Sequence, residues 1–229
     1  MVLKEALARH GAPADAAEPL ARLLEALSRE PDPHTTVPPE DAVDVHVADS
    51  ITALVIPELR RASRIADIGA GAGFPGLPLA VALPGAQVDL IESSRRKAAL
   101  IERLTEAAGI ANARVVASRA EAWASGEGSG AYDVVCARAV GPLAVLAEYA
   151  APLLALGGIL VAWKGRRDAG EEAAGAAAAE TLGLEPVEVR DVEPYPGSRD
   201  RHLHLYRKSS PTPAGFPRRP GMAAKRPLA

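Results

Sequence analysis

The residues with the clearest capacity for chemistry lie in one glycine-rich turn, Asp67-Ile-Gly69-Ala-Gly71-Ala-Gly73-Phe74-Pro75-Gly76. The turn directly follows an apolar run and directly precedes a helical pattern. Alternate glycines let the backbone approach a ligand where a β-carbon would clash, and the first amides of a helix are unpaired donors. We therefore expect a nucleotide-cofactor site that includes Gly69, Gly71, Gly73 and Phe74.

Two carboxylates narrow the choice of cofactor. Asp67 precedes the first glycine by two positions, where it would repel a pyrophosphate and attract an ammonium group. Glu92 follows the next apolar strand, where an acid can accept hydrogen bonds from ribose hydroxyls. Together they favour S-adenosylmethionine over a dinucleotide, although segment 71–76 also satisfies the dinucleotide pattern G-x-G-x-x-G. A turn that binds no ligand is the remaining alternative.

Alternating strand and helix patterns must position this turn. Strands are predicted at 64–68, 87–91, 113–117, 132–136, 158–163, 185–190 and 201–206. Helices are predicted at 2–10, 14–29, 40–60, 75–82, 94–108, 120–124, 142–153 and 169–182. Parallel neighbours require crossovers, whereas no helix separates the last two strands, so these should pair antiparallel.

This order predicts an α/β protein of the class I S-adenosylmethionine-dependent methyltransferase fold, with a Rossmann-like, mostly parallel seven-stranded sheet that ends in an antiparallel hairpin. The predicted organisation is an N-terminal helical extension at 1–60, the methyltransferase domain at 61–208 and a basic Pro/Gly-rich tail at 209–229.

Composition favours a cytoplasmic enzyme without a metal. The chain has 229 residues, 48% of them hydrophobic, and a single cysteine, which excludes an internal disulfide and a cysteine-based zinc cluster. The first 30 residues carry charges throughout and show no signal-peptide pattern. Residues 139–163 hold only one charge, Glu148, but prolines and glycines divide them, so we expect a buried helix and strand rather than a membrane span.

Cations that could bind a nucleic acid occur in three clusters, although the net charge is −3. They are Arg95-Arg96-Lys97, Lys164-Gly-Arg166-Arg167 and the tail, which includes Arg218 and Arg219 and no acid. The first cluster is equally well explained as a solvated helix face. For the tail, whose Pro, Gly and Ser content is high, a disordered segment is the competing interpretation. Lys164 and Arg166 follow a parallel strand at its carboxyl end, where ligands bind in open α/β sheets.

Several short motifs follow one another along the chain: His46-Val-Ala-Asp49-Ser50, the turn at 67–76, Leu90-Ile-Glu92-Ser with Arg96-Lys97, Ser118-Arg119-Ala120-Glu121, Tyr132-Asp-Val-Val-Cys-Ala-Arg138-Ala-Val, Lys164-Gly165 and Phe216-Pro-Arg218-Arg219-Pro-Gly. In this order they resemble the small-subunit rRNA methyltransferase G family, also called GidB, over about residues 40–226. The segment Pro33–Pro39 departs from the family, which usually has an Asn-Leu-Thr element there.

The resemblance implies methylation of a guanine N7 in 16S rRNA, with S-adenosylmethionine as cofactor and small-subunit rRNA or the ribosomal subunit as partner. It assigns Ala120 and Glu121 to the adenine. Arg138, which follows the fourth strand, is our candidate for positioning substrate and cofactor, with Lys164 as a second catalytic candidate. The residues expected to bind RNA are Arg119, Lys164, Arg166, Arg218 and Arg219. We expect a monomer, with His46 and Asp49 docking the N-terminal helices.

The missing motifs agree with N7 chemistry. Methylation of an exocyclic amine typically uses an Asn/Asp-Pro-Pro-aromatic motif, and methylation of cytosine C5 uses a cysteine beside proline; the chain has neither. We expect Cys136 to be a small buried residue and not a nucleophile. Two other function classes remain open at this point: a methyltransferase for a small molecule or a protein, and a non-enzymatic protein that binds the cofactor or acts as an RNA chaperone.

Overall fold

The computed structural model describes residues 2–229 and has a seven-stranded sheet. The strands are β1 Arg64–Ile68, β2 Gln87–Ile91, β3 Ala113–Val116, β4 Tyr132–Arg138, β5 Leu154–Lys164, β6 Leu184–Asp191 and β7 His202–Lys208. Their spatial order is β3-β2-β1-β4-β5-β7-β6. The first five strands pair in parallel, and β7 pairs antiparallel with both β5 and β6. The predicted sheet and its final hairpin are confirmed.

Helices cover both faces of this sheet. They are α1 Leu3–His10, α2 Ala17–Arg29, α3 Asp49–Ile51, α4 Pro57–Arg61, α5 Gly76–Ala82, α6 Arg95–Ala108, α7 Ala120–Ala124, α8 Leu143–Ala150, α9 Ala169–Leu182 and α10 Met222–Lys225. Each face has its own apolar core. The N-terminal helices, α5 and α6 pack on one face, while α8, α9 and parts of the tail pack on the other.

The predicted helix at 40–60 is divided into five short pieces. A 3₁₀ turn at Pro39–Asp41 leads into a π-helical turn at Val43–Ala48, then α3, a second 3₁₀ turn at Thr52–Val55, and α4. The last break has a clear cause, because proline at position 57 fits only the first turn of a helix and Ile56 before it is extended. The prediction of one continuous helix was wrong here.

The long apolar stretch forms the predicted buried helix and strand, α8 and β5. The strand begins at Leu154, several residues earlier than predicted, and runs through Gly157 and Gly158. A β-carbon on Gly158 would lie 2.9 Å from the carbonyl oxygen of Asp133, so only glycine allows the two strands to approach. Among residues 2–229, no helix has the length and apolar character that crossing a bilayer requires.

Candidate active site

The glycine-rich turn, residues 67–76, lies where the strand order reverses between β1 and β4. This reversal point is where open α/β sheets form a ligand crevice. The amide of Gly69 donates to the carbonyl of Ile91 (2.8 Å), which ties the turn to the end of β2. Gly69, Gly71 and Gly73 all have positive φ angles, of 67°, 63° and 94°. The backbone path itself therefore requires these glycines.

The three glycines face different surroundings. A β-carbon at Gly69 would lie 2.7 Å from the Val140 side chain, and one at Gly73 would lie 2.5 Å from Leu77. At Gly71 it would meet nothing closer than the carbonyl oxygen of Gly69 at 3.8 Å, and Gly71 lines a cavity. Gly69 and Gly73 thus serve close packing, whereas Gly71 keeps space open for a ligand.

Asp67 is buried beneath the turn. Its Oδ2 accepts a hydrogen bond from the Gly76 amide (2.8 Å), while its buried Oδ1 has no partner within residues 2–229. Burial raises the pKa of Asp67 to about 7, although the Gly76 hydrogen bond and the Arg138 charge oppose this shift. An orphaned carboxylate oxygen under a ligand-binding turn fits an ammonium group brought by a cofactor.

Glu92 holds the turn from the side of β2. Its Oε2 accepts from the Gly71 amide (3.0 Å) and its Oε1 from the Ser94 amide (2.7 Å). Each carboxylate oxygen can accept a further hydrogen bond, so ribose hydroxyls can still bind here. The structure therefore adds to the predicted role of Glu92, since the same carboxylate fixes the turn.

A cavity that we call the main cavity opens above this turn with a volume of about 760 Å³. Its walls include the glycine-rich turn, segment 32–37 from the N-terminal region, and the ends of β4 and β5. The cations that line it are Lys97, Arg138, Lys164 and Arg201. The sequence marked Pro33–Pro39 only as a departure from the family pattern and did not indicate Arg201, because only the fold brings both to this edge of the sheet.

Arg138 fastens the N-terminal region to the rim of the main cavity. Its Nη1 donates to Asp49 Oδ2 (2.8 Å) and to the carbonyl oxygen of Val45 (2.9 Å). Its guanidinium lies 5.9 Å from the centre of the Phe74 ring. Trp163 adds a second link, with its Nε1 donating to the Asp49 carbonyl (2.8 Å). Asp49 has the docking role that we predicted for it.

His46 stacks on Phe74, with the ring centroids 4.2 Å apart and the planes 12° from parallel. Its Nε2 lies 3.1 Å from Thr35 Oγ1, and its buried Nδ1 has no partner within residues 2–229. Burial, followed by the nearby Arg138 charge, lowers the pKa of His46 to about 4. The imidazole is therefore neutral near pH 7 and adds no charge to the cavity.

The predicted cations differ in whether the protein already neutralises them. Lys164 Nζ lies 2.5 Å from Glu171 Oε1 and donates to the Gly141 carbonyl (3.3 Å). In the part of the chain that the structure describes, the exposed side chains of Arg119, Arg166 and Arg219 have no ion-pair or hydrogen-bond partner. These three arginines are available to an external anion.

Arg218 has an internal partner instead of the expected solvent-facing position. Its guanidinium binds both oxygens of Glu148, at 2.7 and 2.5 Å, and the Glu148 side chain is only 1% exposed. Its Nη2 also donates to the Arg226 carbonyl (2.8 Å). The structure thus gives Arg218 a role within the fold, unlike its neighbour Arg219.

A second, smaller cavity, which we call the side cavity, has a volume of about 340 Å³ and shares Gly69 and Gly141 with the main cavity. Arg119 lines it together with Ala120 and Glu121, the two residues predicted to contact the adenine. Ala224 and Pro227 from the tail line it as well, which nothing in the sequence pattern indicated.

Cys136 lies inside the sheet, opposite Asp67 in the pairing of β1 with β4. Burial raises the pKa of its thiol well above the usual value. A buried, protonated thiol is a poor nucleophile. No group of three or more residues suited to a metal ion occurs within residues 2–229.

Comparison with known proteins identifies the family of the chain. A family model described as rRNA small subunit methyltransferase G matches residues 33–203. A protein of Rubrobacter xylanophilus named ribosomal RNA small subunit methyltransferase G is 42% identical over 83% of this chain and 74% of its own. A Deinococcus radiodurans protein of the same name is 41% identical over 82% of this chain and 75% of its own.

Solved structures share the fold. A predicted O-methyltransferase from Agrobacterium tumefaciens superposes with a TM-score of 0.55 at 29% identity, over 73% of this chain and 81% of that one. Fibrillarin from Aeropyrum pernix, with S-adenosyl-L-methionine bound, gives a TM-score of 0.54 at 16% identity, over 69% and 72% of the two chains. The second likeness concerns the fold alone.

Proposed function

The chain belongs to the rRNA small subunit methyltransferase G family, and we propose that it methylates the N7 atom of a guanine in 16S rRNA with S-adenosylmethionine as cofactor. One observation carries the proposal: a cavity of about 760 Å³ lies directly above a glycine-rich turn and is lined by Arg138, Lys164 and Arg201. A methyl-donor site and a site for an anionic substrate are thus contiguous.

The residues of the turn fit the cofactor. Gly71 leaves open the space that a side chain would fill, and the free Oδ1 of Asp67 can bind the ammonium group of the methionine end. Glu92 can accept the ribose hydroxyls, and we assign the adenine to the side cavity, which Ala120 and Glu121 line. When bound, S-adenosylmethionine supplies a methyl group activated by a positively charged sulfur.

The chemistry requires little from the protein beyond positioning. Guanine N7 has an unshared electron pair in the plane of the ring, so its attack on the methyl carbon needs no general base. The N7–methyl bond forms as the carbon–sulfur bond breaks, and the electron pair of that bond stays on sulfur. Arg138, held by Asp49 and Val45, is the positioning group that lies at the cavity. Cys136 is buried and takes no part.

The substrate is recognised through cations around the cavities. Arg119, Arg166 and Arg219 have no internal partner within residues 2–229 and suit phosphate contacts. Lys164 lines the main cavity but shares its charge with Glu171. When RNA binds, Lys164 leaves the Glu171 carboxylate and instead contacts the guanine base or the nearest phosphate.

We infer a division of labour along the chain. The N-terminal extension supplies the substrate-side wall through residues 32–49, the domain at 61–208 holds the cofactor, and the tail, residues 209–229, completes the side cavity. We propose that the protein acts as a monomer. A ribosomal substrate implies work in the cytoplasm.

Incubation of unmodified small-subunit rRNA with the enzyme and S-adenosylmethionine tests the proposal. Mild reduction and aniline treatment should cleave the RNA at a single guanine, because N7 methylation leaves a fixed positive charge on the ring. RNA incubated without enzyme should stay intact. Nucleoside mass spectrometry that finds the methyl group on a carbon or an exocyclic amine would refute N7 chemistry.

Two adjacent arginines test RNA recognition. Arg166→Ala should flatten the salt dependence of rRNA binding by about 0.7 to 0.9 in log–log slope, the value for one phosphate contact. Arg167→Ala is the matched control, since both oxygens of Glu172 already bind Arg167 at 2.7 and 2.6 Å. Equal slopes for both variants would show that Arg166 does not contact phosphate.

A further inference from the structure

The tail, residues 209–229, is firmly docked on α8 and α9. The buried Lys208, the last residue of β7 directly before the tail, donates to the Leu182 carbonyl (3.0 Å) and also contacts the Thr212 hydroxyl. Thr212 in turn donates to the Ala151 carbonyl (3.0 Å). Phe216 and Leu228 pack against the core of this face. A segment with the composition of a disordered tail thus has a defined place in the fold.

The strongest fastener in the tail is the pair between Arg218 and Glu148. Two parallel charge-assisted hydrogen bonds join them, and the Glu148 carboxylate is almost completely removed from water. A buried charge without its partner is strongly unfavourable. Loss of Arg218 should therefore release the tail, so that water can reach Glu148.

The same segment reaches the residue expected to contact adenine. The amide of Gly221 donates to Glu121 Oε1 (2.7 Å), and Glu121 is only 3% exposed. Gly221 has a φ of 79°, a conformation that suits glycine and aims this amide at the carboxylate. Two residues after Gly221, Ala223 is buried, and Ala224 and Pro227 line the side cavity.

We propose that the tail forms the outer wall of the cofactor's nucleobase site, with Gly221 orienting Glu121, Ala224 and Pro227 covering the base, and Arg218 fastening the wall through Glu148. This inference rests on the proposed function, in that the side cavity receives the adenine of S-adenosylmethionine. Cofactor binding and tail docking then stabilise each other, because a ligand that binds the docked form better shifts the equilibrium towards it. Arg218 becomes a positioning residue for the cofactor site and not an RNA ligand.

Two pairs of variants test the wall by calorimetric titration with S-adenosylhomocysteine, the demethylated cofactor. Arg218→Ala should weaken binding about tenfold or more, since the undocked tail leaves the base exposed on one side. Arg219→Ala removes the same charge from an exposed position without a side-chain partner among residues 2–229, and should leave the affinity within about twofold.

The second pair requires no change in the buried core. Ala224→Trp places a bulky ring on an exposed residue that lines the side cavity, and should weaken binding by a similar factor. Lys225→Trp, on the neighbouring exposed residue that does not line the cavity, should leave binding unchanged. In the wild-type protein, S-adenosylhomocysteine should also slow hydrogen exchange at residues 221–226.

The outcomes separate this inference from the proposed function. Unchanged affinity in both Arg218→Ala and Ala224→Trp would overturn the wall, and weaker rRNA binding in Arg218→Ala would then return Arg218 to RNA recognition. A wild-type protein that binds no S-adenosylhomocysteine would instead contradict the cofactor itself, and with it the proposed function.

Discussion

The main cavity and the side cavity meet at Gly69 and Gly141, yet the two ends of the chain complete them in different ways. The N-terminal region forms a wall of the main cavity and leaves it wide, with Arg138 and Lys164 lining it. The tail lines the smaller side cavity, and its Arg218 forms an internal ion pair with Glu148. A cluster of cations in the sequence therefore does not reveal which of its members can bind a substrate; the anions that the fold brings near them decide this.

Gly71→Val should give the largest effect, because it fills the main cavity at the glycine-rich turn. The valine side chain would occupy the space above the turn, so we expect S-adenosylhomocysteine binding to be abolished in calorimetry. The positive φ adds a strain of about 1–3 kcal/mol.

Gly130→Val is the matched control for the strain of a valine at positive φ. Gly130 has a φ of 57°, lies in an exposed loop and lines neither cavity. Gly130→Val should lose a comparable amount of stability in thermal unfolding, because its backbone is strained in the same way, and should bind the cofactor normally. Normal binding by Gly71→Val would place the cofactor elsewhere.

Arg138→Ala should break the main cavity while sparing the side cavity. We expect methyl transfer in single-turnover assays to fall about a hundredfold or more, because the reacting atoms lose their alignment. The affinity for S-adenosylhomocysteine should change much less.

Arg60→Ala controls for loosening of the N-terminal region. Arg60 also donates to backbone carbonyls there, of Leu54 (2.5 Å) and His10 (2.8 Å), but lines neither cavity. Equal losses of methyl transfer in the two variants would show that Arg138 only holds the N-terminal region in place and does not position the reacting atoms.

Asp67→Asn should change how the stability of the protein depends on pH. The pKa of Asp67 in the folded protein, about 7, lies above the unfolded value of about 3.9. Asp67 therefore stabilises the fold at low pH, and this contribution is lost as the pH rises from about 4 to about 7. Asparagine stays neutral and can still accept from Gly76, so the free energy of unfolding should lose that pH dependence.

Cofactor affinity should show the opposite trend. The ionised Asp67 attracts an ammonium group, so wild-type binding of S-adenosylhomocysteine should tighten as the pH passes through about 7. At pH 8 the Asp67→Asn protein should bind about tenfold more weakly, the usual loss of a hydrogen bond to a charged group. Asp133→Asn is the control, since Asp133 accepts from two amides at the opposite end of β1. A parallel profile for wild type and Asp67→Asn would exclude Asp67 from ammonium binding.

Cys136→Ala should have the smallest effect and leave both cavities intact. Removal of a small buried side chain should cost about 1 kcal/mol of stability. The methylation rate should stay within about threefold of wild type in the rRNA assay. Complete loss of activity in a folded protein would point to covalent chemistry and contradict N7 as the nucleophile.

Local patterns in the sequence determined the sheet and the turn. Apolar runs of strand length, crossover helices and alternate glycines are properties of short segments, so the seven strands and the turn at 67–76 followed from them. The pieces between 39 and 61 were harder to predict, because hydrophobic period alone does not distinguish α-helical from π-helical or 3₁₀ turns. Only Pro57 gave a local sign of a break.

The tertiary structure alone decided how the cations are used and how the cavities are closed. Arg218 and Glu148 lie 70 residues apart, and Arg138 and Asp49 lie 89 apart, so no local pattern could pair them. The same holds for Gly221 and Glu121, 100 residues apart. Whether a charge faces solvent or a buried partner depends on such long-range contacts, which arise only when the helices and the tail pack on the sheet.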